Sequence, residues 1–95
     1  MSDFFEQLGW NETLEMLDLD NNDIYGEDLS FLIINNTLRY LKIPLINESI
    51  PHLVDVLSQN QGLKTLELSI LYELTEESIK MLETIKHINI ILKYE

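Results

Sequence analysis

Cysteine and alanine are both missing from the 95 residues, and glycine and proline occur only three and two times. Without cysteine there is no disulfide framework, no thiolate metal site and no cysteine nucleophile, so a reducing compartment is the expected setting. So little glycine and proline argues against a disordered or collagen-like chain. Positive charge is also scarce: six Lys and Arg stand against seventeen Asp and Glu, a net charge of −11. Such a field repels nucleic-acid phosphate and anionic lipid and attracts a basic protein surface. No apolar run approaches the ~20 residues of a membrane span, and the opening Met-Ser-Asp-Phe-Phe-Glu lacks the basic and apolar regions of a secretory leader. The expectation is a soluble, cytoplasmic protein of one domain, with neither nucleic acid nor membrane as partner.

What the chain has in excess is leucine and isoleucine, 18 and 12 of its residues, and they recur at a fixed period. Leu14, Leu38, Leu63 and Ile88 are spaced by 24, 25 and 25 residues. Leu8, Leu32, Leu57 and Leu82 keep the same spacing, as do Phe5, Leu29, Val54 and Ile79. Asn11, Asn35 and Asn60 stand three residues before the leading Leu, and Ile85 takes that place in the last unit. Each leading Leu opens a stretch with strand spacing: Leu14, Leu17, Leu19; then Leu38, Leu41, Ile43; then Leu63, Leu66, Leu68. Between these stretches the spacing turns helical, as in Ile50, Leu53, Val54, Leu57 and in Ile79, Leu82, Ile85, with Thr75 placed to cap the latter. One strand-helix unit cannot cover its own apolar face, so stacked units aligning their strands in a parallel sheet are expected.

Leu14-x-x-Leu17-x-Leu19-x-x-Asn22-x-Ile24 resembles the leucine-rich repeat family at every position, whereas Leu38-x-x-Leu41-x-Ile43 and Leu63-x-x-Leu66-x-Leu68 carry its first half. Ile46 and Leu71 stand where the pattern has Asn. The helical segments resemble shortened ribonuclease-inhibitor-type repeats. The resemblance implies an α/β fold: a short leucine-rich-repeat solenoid of three to four repeats, with a concave parallel sheet and helices on the convex side. The single domain then divides into an N-terminal helix and cap (1–12), repeats at 13–37, 38–62 and 63–87, and a terminal strand at 88–95. For function it implies mainly protein binding.

Catalytic and cofactor chemistry is sparse. His52 and His87 are the only histidines and sit at different phases of different repeats, so they read as surface or turn residues. No glycine-rich phosphate loop, nucleophile elbow or zinc motif occurs, and neither enzymatic activity nor a cofactor is expected. Asp18-Leu19-Asp20-Asn21-Asn22-Asp23 begins like a calcium loop, but Asp23 replaces the turn glycine and Leu29 the closing bidentate Glu, so no metal is expected. Asn11, Asn35 and Asn47 open glycosylation sequons, yet the first two belong to the repeat column, where an Asn side chain hydrogen-bonds turn backbone.

On a regular register the outward positions form three columns across the concave sheet: Met16, Tyr40, Thr65, Ile90; Asp18, Lys42, Glu67, Leu92; and Asp20, Pro44, Ser69, Tyr94. From these come the candidate partner-binding residues Met16, Asp18, Asp20, Tyr40, Lys42, Glu67, Ile90 and Tyr94, large groups of the kind enriched at interface anchors beside a row of alternating charge. Residues 1–37 hold nine acids and no Lys or Arg, while residues 38–95 hold eight acids and six bases, so the first repeat forms an acidic end suited to a basic protein. The expected function is a non-catalytic interaction module using the concave face and the acidic end. The more specific alternative is an inhibitor or immunity-type protein blocking a basic enzyme; an enzyme or a calcium-binding protein is the remote one. Ile88-Asn89-Ile90-Ile91-Leu92 reads as an apolar strand on an open sheet edge, which a hidden cap, a homodimer or further repeats would cover.

Overall fold

A computed structural model of the chain describes residues 2–22, 24–45, 47–70 and 73–94. Four strands, β1 (Met16–Asp18), β2 (Tyr40–Leu45), β3 (Thr65–Ile70) and β4 (Asn89–Tyr94), form one parallel sheet in chain order. Helix α1 (Ser2–Trp10) precedes β1. A 3₁₀ turn (Gly26–Ser30) runs into the four-residue α2 (Phe31–Ile34) between β1 and β2. A shorter 3₁₀ turn (Asn47–Ser49) leads into α3 (Ile50–Gln59), and α4 (Glu76–Glu83) joins β3 to β4. The expected α/β architecture with a parallel sheet is therefore present. Strands start two residues after Leu14, Leu38 and Leu63, but one residue after Ile88. Among the described residues no helix is long and apolar enough to cross a membrane.

The core follows the leucine columns. Leu41, Ile43, Leu66 and Leu68 on the inner strands are fully buried, together with Leu29, Leu32, Leu53 and Leu57 from the helical layer. Strand side chains alternate between faces, so Met16, Asp18, Tyr40, Lys42, Thr65, Glu67 and Ser69 lie on the opposite, open face. In α3 the buried stripe is Ile50, Leu53, Val56 and Leu57, with Val54 only half-buried at its margin. Thr75 caps α4, its side-chain oxygen accepting from the Ser78 backbone N–H at 3.1 Å.

Two asparagines, Asn35 and Asn60, each bond backbone of the preceding helix–strand connection. Asn35 Nδ2 donates to the carbonyls of Leu8 (2.7 Å) and Asn11 (3.2 Å), while its Oδ1 accepts from the amides of Thr37 (3.0 Å) and Leu38 (2.8 Å). Asn60 repeats the pattern one unit later, on Leu32 O and Asn35 O and on Gly62 N and Leu63 N. Asn11, first in the series, accepts from Thr13 N and Leu14 N. Backbone groups buried by stacking thus find partners that neither helix nor strand supplies.

The last unit breaks the rule. Ile85 holds the Asn position and has no polar side chain, yet Leu57 O and Asn60 O are not orphaned: His87 Nε2 lies 3.1 and 3.0 Å from them. Both partners are acceptors, so Nε2 carries the proton. The segment from Ile85 to the strand is one residue shorter than its counterpart after Asn60, and β4 pairs with β3 through Thr65↔Asn89, Leu66↔Ile90 and Glu67↔Ile91. The expected columns are corrected accordingly. Ile90 and Leu92 turn to the helix side and pack on the core, and Tyr94 sits beside Ile70 on that side. Asn89, Ile91 and Lys93 take the open-face positions.

β1 is only three residues long, and Pro44 accounts for it. Tyr40 N donates to Glu15 O and Leu19 N to Lys42 O, so the amide at position 44 would be next to donate to β1. Proline has no N–H. Leu19 O instead accepts from Asn22 Nδ2 at 3.0 Å, and the chain leaves the sheet through Asn21, whose φ is 66°. Asparagine tolerates that left-handed conformation better than most residues. Ile46 and Leu71, the other two positions where the repeat pattern has Asn, lie outside the described residues, as does Asp23.

Candidate functional site

The open face carries one connected row of polar side chains drawn from β2, β3 and the turn after β1. Lys42 Nζ bridges Asp20 Oδ2 at 3.2 Å and Glu67 Oε2 at 3.3 Å. The second oxygen of Glu67 accepts from the Tyr40 hydroxyl at 3.2 Å. Ser69 Oγ donates to Asp20 Oδ2 at 2.9 Å, closing the row. Glu67, 8% exposed, is an almost buried carboxylate, tolerable because a cation and a phenol both bond it.

Electrostatics follow from that contact list. The Lys42 ammonium is held well above the usual lysine range, chiefly by its hydrogen bonds to Asp20 and Glu67, against some opposing desolvation. The Tyr40 phenol is pushed up by desolvation first, then by its hydrogen bond to Glu67, which favours the protonated hydroxyl. Both groups therefore keep their protons through the neutral range.

Of the residues singled out from sequence, Tyr40, Lys42, Glu67 and Asp20 come together. Asp18 sits directly across from Lys42 in the register, yet Lys42 bonds Asp20 instead. Asp18 Oδ1 is occupied by the Asp20 amide at 2.9 Å, and this Asx turn swings the Asp20 side chain back over the sheet. Met16, 67% exposed, lies at the edge of the same face. Ile90 and Tyr94 are not on it. Ser69 belongs to the row although only its column position hinted at that. One acceptor remains: Asp20 Oδ1 is buried with no hydrogen-bond partner among the described residues.

The histidines are engaged separately. His52 Nε2 is 3.2 Å from Ser30 Oγ on the helix side, and His87 serves the turn ladder described above. Among the described residues no group of three or more His, Asp or Glu side chains could hold a metal ion.

Set against protein-family models, curated proteins and solved structures, the chain matches none of them.

Proposed function

We propose that the chain is a non-catalytic protein-binding module, built as a short solenoid of three to four leucine-rich repeats, whose sheet face and acidic N-terminal end engage another protein. The repeat reading is supported by the period-matched Leu and Asn columns and by the Asn35 and Asn60 bonds, which recur one unit apart on equivalent carbonyls and amides. The binding reading rests on one observation: side chains from three segments are locked into a single bonded row on a face that none of the described helices covers. A surface fixed before contact loses little side-chain freedom on binding.

The test is a pull-down from native lysate with the wild type beside a Tyr40→Ala/Asp18→Ala double variant. The same band recovered at equal yield on both baits would remove the sheet face from the proposal. The net charge of −11 favours a second, narrower reading, an inhibitor or immunity-type protein that blocks a basic enzyme. A basic nuclease among the captured proteins, inhibited by the purified chain, would select it. At the other end of the sheet the outer edge of β4 lies beside an open groove of about 280 Å³ lined by Ile79, Leu82, Ile85, Ile88, Ile90 and Leu92. A homodimer would pair there, and light scattering that stays at monomer mass with rising concentration would exclude it.

A further inference from the structure

A second surface lies on the helical side of the acidic end. A groove of about 360 Å³ runs between α1 and the Gly26–Ser30/α2 segment. Phe5 and Phe31, each 5% exposed with ring centroids 5.7 Å apart, form its floor. Trp10 and Ile34 rise from its margin, 68% and 46% exposed. On their far side is another hollow of about 400 Å³, lined by Asn11, Glu12, Asn36 and Thr37 as well as the shared Gly9, Trp10 and Ile34. An indole and a branched aliphatic chain thus stand as a ridge between two hollows, an arrangement that exposes apolar surface without covering it.

The rim identifies the occupant. Glu6, Glu27 and Asp28 border the first hollow and Glu12 the second. None of the four forms an ion pair with a described residue, and residues 1–37 contain no Lys or Arg. Asp28 Oδ2 is partly used, accepting from Tyr25 N at 3.0 Å, so Glu6, Glu12 and Glu27 carry most of the free negative charge. Apolar surface ringed by unneutralised carboxylates fits an apolar ligand with cationic flanks. A second copy is disfavoured because it would bring the same acidic end, and an anionic bilayer is repelled for the same reason.

We infer that this groove docks a basic amphipathic segment of a partner protein, with its apolar side chains seated against Trp10 and Ile34 and its Lys or Arg residues on Glu6, Glu12 and Glu27. The inference rests on the protein-binding reading and gives its acidic end a specific surface, separate from the sheet face.

Trp10 is the only tryptophan and therefore reports from the site. The probe is a synthetic amphipathic Leu/Lys peptide of about four helical turns, compared with its Leu/Glu counterpart. Titration with the Leu/Lys peptide is expected to shift Trp10 emission to the blue and saturate, whereas the Leu/Glu peptide leaves it unchanged. Glu6→Lys/Glu27→Lys should weaken binding about tenfold or more and flatten its salt dependence, with far-UV circular dichroism unchanged. Ile34→Ser, a change at an exposed side chain, should weaken binding without altering the salt dependence. Tyr40→Ala should bind as the wild type. Equal binding of both peptides, wild-type affinity in the charge-reversed variant, or an unmoved Trp10 overturns the inference. Loss of peptide binding in Tyr40→Ala also overturns it, placing the contact on the sheet face. A silent peptide titration beside a Tyr40-dependent pull-down would reject the groove and leave the module reading standing.

Discussion

Replacing Asn60 by alanine removes the side chain that satisfies four backbone groups at once: the carbonyls of Leu32 and Asn35 and the amides of Gly62 and Leu63, at 2.7 to 3.0 Å. Asn60 is 1% exposed, so water reaches these groups only by opening the stack. A buried group left without a partner costs about 1–3 kcal/mol; four of them, partly relieved by local opening, give roughly 4 kcal/mol. A domain of this size has about 5–14 kcal/mol in total, so the loss is a large fraction of its stability. In urea, with a slope near ~1.5 kcal/mol per molar, the midpoint should fall by roughly 2–3 M, followed by circular dichroism or Trp10 emission. The comparison that gives the number meaning is Asn11→Ala. Asn11 satisfies only two backbone groups, Thr13 N and Leu14 N, beside a longer bond from the exposed Thr13 hydroxyl, and its loss should cost about 1 kcal/mol. If Asn60→Ala and Asn11→Ala shift the midpoint equally, the asparagines act as local turn residues and the stacking ladder is wrong.

Other substitutions follow from the same geometry. His87→Ala strips the donor from Asn60 O, while Leu57 O keeps the Asn60 amide at 3.2 Å, and should lower stability by about 1 kcal/mol in the same urea assay, with Ile85→Asn in that background recovering part of it. Gly62→Ala should cost about 1–3 kcal/mol, because the new Cβ would fall 2.5 Å from Asn36 O and 2.6 Å from Arg39 Nη1; a neutral result would show that this approach is not rigid. Alkaline titration of phenolate absorbance should show a step later than that of an ordinary tyrosine, and Tyr40→Phe should remove it. Tyr40 is raised in the folded state, so its stabilising effect is complete below its ordinary range near 10.0 and is lost as pH climbs through the folded value. The Tyr40→Phe protein should accordingly lose less stability above that range than the wild type.

How far the sequence speaks for the fold depends on the element. The columns through Leu41, Leu66 and Leu32 were legible because burial forces the same residue type at every period, and Asn35 and Asn60 were legible because one side chain meets a repeated need for both donor and acceptor. Thr75 was legible as a local cap. The register of β4 was not. One residue is missing between Ile85 and Asn89, and its effect is masked because Ile88 keeps the leucine period while His87 restores the polar function two residues away from its usual place. A count of apolar spacing sees Ile90 and Tyr94 in the outward phase, whereas the strand places them inward. The polar row was half legible: alternating charge on Lys42 and Glu67 announced pairing, but the choice of Asp20 over Asp18 depends on the left-handed Asn21 and on the missing amide of Pro44. Such backbone events leave no periodic signal.

The most direct measurement is a chemical-shift map of the isotope-labelled chain titrated with the protein that it captures. Perturbation of Tyr40, Lys42, Glu67 and Ser69 on the sheet face, with α3 and α4 unmoved, is the expected result. Perturbation confined to α3 and α4, with the sheet face silent at saturation, would contradict the account.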